Sequence, residues 1–242
     1  MAINKSINQY LIKHGFEAFH PKAVLFDMDG VLYDSMPHHV IAWQRSMAQF
    51  GIHMTEEDAY ATEGARGIDT IRQMVRKQKG EDISLDEAQR MYDVKSRLFH
   101  EMGETAIFDG VIDLMRKIRQ HGMTVGVVTG SGQKPLINRL LTDFSEFLDE
   151  SHVVTAYDVE KGKPAPDPYL MGLRKCGNLH PWQGIVVENA PLGIRAGVAA
   201  QCLTVAVNSG PLPDDILRQA GADVLFHRMT DLAIAFEDII NV

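Results

Sequence analysis

From Lys22 onward, short apolar runs recur along the chain and end in Gly, Asp, Thr or Glu: Val24-Leu25-Phe26, Val125-Gly126-Val127-Val128, Ile185-Val186-Val187, Thr204-Val205-Ala206-Val207 and Val224-Leu225-Phe226. Unalternated runs of this length suit strands covered on both faces. Helical periods lie between them, for example Val111, Leu114, Met115 and Ile118 on one face with Asp109 as N-cap. Strand, helix, strand repetition predicts an α/β fold with a Rossmann-like, doubly wound parallel sheet.

One stretch breaks the alternation. Between Met36 and Ile107 every signal is helical: Val40, Trp43, Met47 and Phe50, then Ile68, Ile71 and Val75, then Met91, Val94 and Leu98. Thr55-Glu56-Glu57-Asp58 and Ser84-Leu85-Asp86-Glu87 resemble capping boxes that start helices. The expectation is an all-helical cap domain, residues 36–107, inserted into a core of residues 18–35 and 108–242. Residues 1–17 form an N-terminal extension in which Ile3, Ile7, Tyr10 and Leu11 share a helix face, either docked or frayed.

Composition narrows the partners. The 242 residues fit one core with a modest insertion, and 45% apolar with 23% charged residues is globular. The balance of 24 basic and 32 acidic residues, a net charge of -8, disfavours nucleic acid and anionic membranes. No run approaches the ~18 apolar residues of a membrane span. Cys176 and Cys202 are far apart, which argues against a disulfide framework or a cysteine zinc site, and the first twenty residues lack a signal-peptide core, so a reducing cytoplasm is expected. The oligomeric state is left open, with a monomer compatible.

Four places carry candidate chemistry. Asp27-Met28-Asp29-Gly30 puts two carboxylates at the carboxyl edge of the sheet, where ligands of open parallel sheets collect. Close carboxylates repel unless a cation or a proton separates them, which points to a hard divalent ion such as Mg²⁺; the alternative is a polar turn. Thr129-Gly130-Ser131-Gly132 offers a hydroxyl and free N–H groups before a helix, an anion cradle or an empty turn. Lys163 stands between restricting prolines as an aimed ammonium or a solvated loop lysine. Glu188-Asn189 supplies two oxygen donors for Mg²⁺, unless Asn189 merely caps a helix. In order, each at a strand end, the four provide the parts of a phosphoryl-transfer site.

This ordered set, Asp27-x-Asp29-Gly30, Thr129, Lys163 and Glu188-Asn189, resembles the four motifs of the haloacid dehalogenase-like superfamily, and is most similar to its beta-phosphoglucomutase-like subgroup. The resemblance implies that Asp27 is the nucleophile forming an aspartyl phosphate and Asp29 the general acid and base. It further implies that Thr129, with Gly130 and Ser131, holds the transferring phosphoryl group and that Lys163 balances its charge. Asp27, the Asp29 backbone carbonyl, Glu188 and Asn189 would hold Mg²⁺. His39 falls where relatives carry a histidine near the cap hinge, with packing as its alternative role.

Two departures bear on substrate. Most relatives carry Asp where Asn189 stands, and the sugar-phosphate mutases carry Lys where Glu63 stands. A glutamate there repels a second phosphate or reaches the metal, so Glu63 with Asn189 resembles a bacterial inorganic pyrophosphatase branch of the subgroup; an exposed loop acid is the plainer reading of Glu63. Arg66 is a candidate second phosphate contact, or else a surface ion pair. The favoured substrate is therefore inorganic pyrophosphate or another small phosphate. The alternatives are a beta-phosphoglucomutase and, further off, a metal-free dehalogenase or a non-enzymatic receiver domain.

Overall fold

The computed structural model describes residues 2–241. Six strands, β1 (Ala23–Phe26), β2 (Thr124–Val128), β3 (Val153–Val154), β4 (Gly184–Glu188), β5 (Leu203–Val207) and β6 (Val224–Phe226), form one sheet in the order β3-β2-β1-β4-β5-β6, all parallel. The five strands expected from apolar runs are present. The two-residue β3 is too short to show as a run, and it pairs only through Val153 and Val154 with the end of β2.

Helices cover both faces. One side packs Val111, Leu114, Met115 and Ile118 of α6 (Val111–Gln120) with Leu232 and Phe236 of a C-terminal helix, Met229–Ile240, against Val24, Phe26, Val125 and Val127. The other packs Tyr169 and Leu173 against Leu25, Val128 and Val186. The N-cap of α6 is Gly110, not Asp109. The backbone there has φ +90°, and a Cβ on Gly110 would meet the Thr230 amide nitrogen at 2.6 Å, so only glycine fits the approach of the C-terminal helix. The N-terminal helix α1 (Ala2–His14) docks: Ile7 and Tyr10 are buried, and the Tyr10 hydroxyl donates to the Gln201 carbonyl at 2.9 Å.

The inserted cap is helical throughout: α2 (Met36–Gln49), α3 (Glu56–Ala61), α4 (Gly67–Lys79) and α5 (Leu85–His100) enclose Trp43, Met47, Ile71, Met74 and Met91. Thr55 and Asp58 close a reciprocal capping box, whereas at Ser84 only the hydroxyl-to-Glu87 half forms. The apolar face expected on α5 is rotated. Ala88, Met91, Lys95 and Phe99 are buried, whereas Val94 and Leu98 are only partly covered. That rotation turns a lysine inward.

Register positions the site. Phe26 lies opposite Val127 on one side and Val187 on the other, so Asp27, Val128-Thr129 and Glu188 emerge side by side at one edge. The Asp27 amide still donates to the Val187 carbonyl at 3.0 Å, after which the chain leaves extended geometry and turns through residues 28–33, where Leu32 N–H bonds the Met28 carbonyl.

Candidate active site

Asp27 is 2% exposed and shares a cation with Glu188, which is fully buried: Lys163 Nζ lies 2.5 Å from Asp27 Oδ1 and 2.6 Å from Glu188 Oε1, and also donates to the Val128 carbonyl at 3.0 Å. The Tyr169 hydroxyl donates to the same Glu188 oxygen at 2.7 Å, while Glu188 Oε2 accepts the Asn189 and Ala190 amides. Burial pushes the Asp27 carboxyl up, Lys163 offsets part of that, and the neighbouring Glu188 and Asp29 charges add to it. Burial likewise works against the Lys163 charge, but the two carboxylates outweigh it and hold the ammonium protonated. Lys163 is therefore a buried, aimed cation and not a solvated one.

Glu188, expected on the metal, is engaged here by protein groups. Both of its oxygens are engaged by Lys163, Tyr169 and two backbone amides, so its role in this arrangement is to hold Lys163. Asn189 does not cap the following helix, whose N-cap is Ala190; its amide instead donates to Glu63 Oε1 at 2.7 Å.

Glu63 reaches this point from the cap loop after α3 and is buried, not exposed. Burial drives its carboxyl well above the usual carboxylate range, the Asn189 amide pulls it back, and the charges of Asp27, Glu188 and Asp29 raise it further. Its Oε2 and the Oδ1 of Asn189 are buried with no hydrogen-bond partner. Gly30 makes the approach possible: at φ +78°, a Cβ would lie 2.0 Å from Asn189 Nδ2 and 2.8 Å from Glu63 Oε1.

Asp29 accepts the Ser35 hydroxyl at 2.6 Å, and His39 Nε2 sits 3.0 Å from its Oδ1. His39 stacks on Phe99 with centroids 4.2 Å apart, and its Nδ1 is 2.6 Å from Nζ of Lys95. Packing and placement beside the acid thus coexist in one histidine. Burial alone would raise the Asp29 carboxyl, but His39, Ser35 and Lys95 bring it down to about 2. Lys95, 2% exposed, lies over Trp43 and Phe99, and burial lowers its ammonium to about 8 against a partial rescue by Asp29. Like Ser35 and Tyr169, it is a residue of the site that the sequence motifs do not mark. Its signal was present as the i+4 position after Met91 and before Phe99, in register with the buried face of α5.

Thr129 and Ser131 are buried, with Ser131 N–H donating to Thr129 Oγ1 at 3.0 Å. Gly130 lies under the cap loop; a Cβ there would meet the Gly64 and Ala65 carbonyls at 2.7 and 2.9 Å. Gln133 ties cap to core a second time, donating to the Tyr92 hydroxyl at 3.0 Å and accepting from Ser96. Arg66 borders the Thr129-Gly130 and Lys163 segments, and its guanidinium forks onto Asp69 at 2.7 and 3.2 Å, the ion-pair alternative.

Asp27, Asp29, His39, Glu63, Lys95, Thr129, Gly130 and Ser131 line one cavity of about 60 Å³ between cap and core. No group of three or more His, Cys, Asp or Glu side chains among the described residues converges as a ready metal cage. What the site offers a cation is different: two orphaned acceptor oxygens, on Glu63 and Asn189, beside a carboxylate-rich turn. Unpartnered buried oxygens of this kind fit a hard, oxygen-seeking ion such as Mg²⁺.

A six-stranded parallel sheet that presents an aspartate pair, a buried lysine and a helical lid at one edge defines an α/β enzyme of phosphoryl-transfer type. The chain belongs to the haloacid dehalogenase-like hydrolases, whose family description matches residues 24–207. Among curated proteins it is similar to hexitol phosphatase A of Escherichia coli K12, 32% identical over 88% of this chain and 94% of that one. It is also similar to the phosphoglycolate phosphatase of Shigella boydii, 27% identical over 87% of this chain and 90% of that one. Among solved structures, a Bacteroides vulgatus protein provisionally named beta-phosphoglucomutase superposes with a TM-score of 0.95 at 42% identity, covering 99% of this chain and 97% of the other. The protein is thus a phosphatase-like or phosphoglucomutase-like member of the family. No helix among the described residues is long and apolar enough to cross a membrane.

Proposed function

We propose that the protein is a Mg²⁺-dependent phosphohydrolase that works through a phosphorylated Asp27 and acts on inorganic pyrophosphate or a similarly small phosphate. The observation that carries this reading is the cavity: about 60 Å³, with Glu63 projecting into it, against the roughly 300–1,000 Å³ of a site for larger organic ligands. A glutamate in that position repels a second phosphate on a long substrate and leaves space for a compact one.

In this reading an Asp27 oxygen attacks phosphorus, the bond to the leaving group breaks, and Lys163 neutralises charge on the transferred group while Thr129 and the amides of Gly130 and Ser131 receive its oxygens. Asp29 then takes a proton from the water that attacks the phosphoaspartate, releasing phosphate and restoring Asp27. The Ser35 hydroxyl and His39 hold Asp29 as a carboxylate, which suits this second step. It also favours a leaving group that departs as a stable anion, as phosphate does, over a sugar alkoxide that must be protonated. Bound Mg²⁺, held by Asp27, Asn189, Glu63 and the Asp29 carbonyl, would supply charge neutralisation at the phosphoryl oxygens.

The test is phosphate release, with added Mg²⁺, from pyrophosphate against a panel of hexose, hexitol and two-carbon phosphates. A larger kcat/KM for any sugar phosphate overturns the substrate choice. The second reading, a beta-phosphoglucomutase, is favoured by the 42% identical Bacteroides neighbour; its mark is conversion of beta-glucose 1-phosphate to glucose 6-phosphate with little net phosphate release.

A further inference from the structure

The loop after β5 touches the aspartate turn at Gly30. The Ser209 hydroxyl donates to the Gly30 carbonyl at 2.5 Å, a contact between residues 179 apart in sequence. Gly30 is the residue over which Glu63 and Asn189 close with no room for a Cβ, and its own amide bonds the Tyr33 carbonyl at 2.9 Å. Gly30 is therefore approached by Glu63 and Asn189 at its Cα and bonded by Ser209 at its carbonyl.

The brace is itself anchored. The Asn208 amide donates to the Phe226 carbonyl of β6 at 2.8 Å, and its side chain donates to the Leu212 carbonyl and the Asp214 carboxylate at 2.8 and 2.7 Å. The next residue, Gly210, lies against the cap: a Cβ there would be 3.0 Å from the Tyr60 ring, and Tyr60 sits on the helix that leads into Glu63. One loop thus contacts both the turn carrying Asp29 and the cap element delivering Glu63.

We propose that Ser209 is a positioning residue, which fixes the Asp29-Gly30 turn against the Glu63–Asn189 pair when the cap is closed. It touches no reacting atom and acts through the Gly30 peptide. The inference rests on the reading of Asp27, Asp29 and Glu63 as the reacting centre, so its test includes a measurement that needs no turnover.

The full-length protein is compared with Ser209→Ala and Ser209→Thr by amide hydrogen exchange and by steady-state kinetics on the best substrate of the phosphate panel. A groove of about 360 Å³ bordered by Phe108, Asn208, Ser209 and His227 leaves room for the added methyl of threonine. Loss of one such bond is expected to speed exchange in the segment 27–33 and to lower kcat by about five- to tenfold with KM within twofold. Thr is expected to restore both, and exchange in the distant strands is expected to stay unchanged. Unchanged exchange in 27–33 overturns the brace itself. Faster exchange with unchanged kcat overturns the positioning role, and if Asp27→Asn also turns over normally, the reading of the reacting centre falls with it.

Discussion

Asn189 donates its side-chain amide to Glu63 at 2.7 Å, and this bond joins the core to the cap. The remaining oxygen of each is buried without a partner, a costly arrangement that a bound cation would relieve. Glu63→Gln keeps the shape and removes the charge. It is expected to weaken Mg²⁺ binding, measured by calorimetry without substrate, by about tenfold or more, on the scale of one charge-assisted contact. Unchanged Mg²⁺ affinity removes Glu63 from the metal site.

Asp29 meets its neighbours through its side chain, whereas only its backbone carbonyl is assigned to the cation. Asp29→Asn keeps an acceptor for the Ser35 hydroxyl but cannot take a proton. Turnover is expected to fall by about 10²–10⁴, the usual worth of a general acid–base group, with Mg²⁺ affinity within twofold. A parallel loss of Mg²⁺ binding would show that the carboxylate itself ligates the ion.

Lys163 lies between two carboxylates that are at most 3% exposed, so solvent screening does little to weaken the triad. Replacing Lys163 with Met leaves Asp27 and Glu188 facing each other without a cation. Breaking a buried pair in this way costs about 3–5 kcal/mol, and urea unfolding at neutral pH is expected to report a loss of that order beside the loss of turnover. The penalty shrinks as pH falls, because protonating Asp27 removes the uncompensated charge. A variant as stable as the parent would mean that the triad opens in solution.

Much of this site was legible as motif order, because strand ends in a parallel sheet place their following residues at one edge whatever the intervening sequence. Asp27, Asp29 and Thr129 fall there for that reason, whereas Lys163 reaches Asp27 from the loop between β3 and the next helix. Sequence shows that Glu188 is an oxygen donor but not that Lys163, Tyr169 and two backbone amides engage it. For Arg66 the sequence leaves a phosphate contact and an ion pair both open, and the fold shows the pair with Asp69, one helical turn on. Lys95 was missed because an apolar period marks a face to within about one residue, and Met91-Val94-Leu98 and Met91-Lys95-Phe99 are adjacent faces of one helix. Ser209 bears no motif; only the tertiary contact with Gly30 reveals it.

Lys95 makes a pH prediction of definite sign. Its ammonium, normally near 10.5, loses its proton at about 8 in the fold because burial among Trp43, Tyr92 and Phe99 disfavours the charge. Between those two pH values the unfolded chain holds a proton that the folded chain has released, so this group makes stability rise with pH across that window. Below the window the full penalty of burying the charge is present. Lys95→Met removes the group, and the difference in stability between variant and parent is expected to narrow from pH 8 to pH 10 in urea unfolding. The same proton serves the site: while present, it places a positive charge behind His39 and Asp29 at the edge of a cavity that receives an anion. KM for the phosphate substrate is therefore expected to rise above pH 8 in the parent, while in Lys95→Met it is high throughout and flat across that range. A variant that retains the parent's alkaline rise in KM would assign that titration to another group.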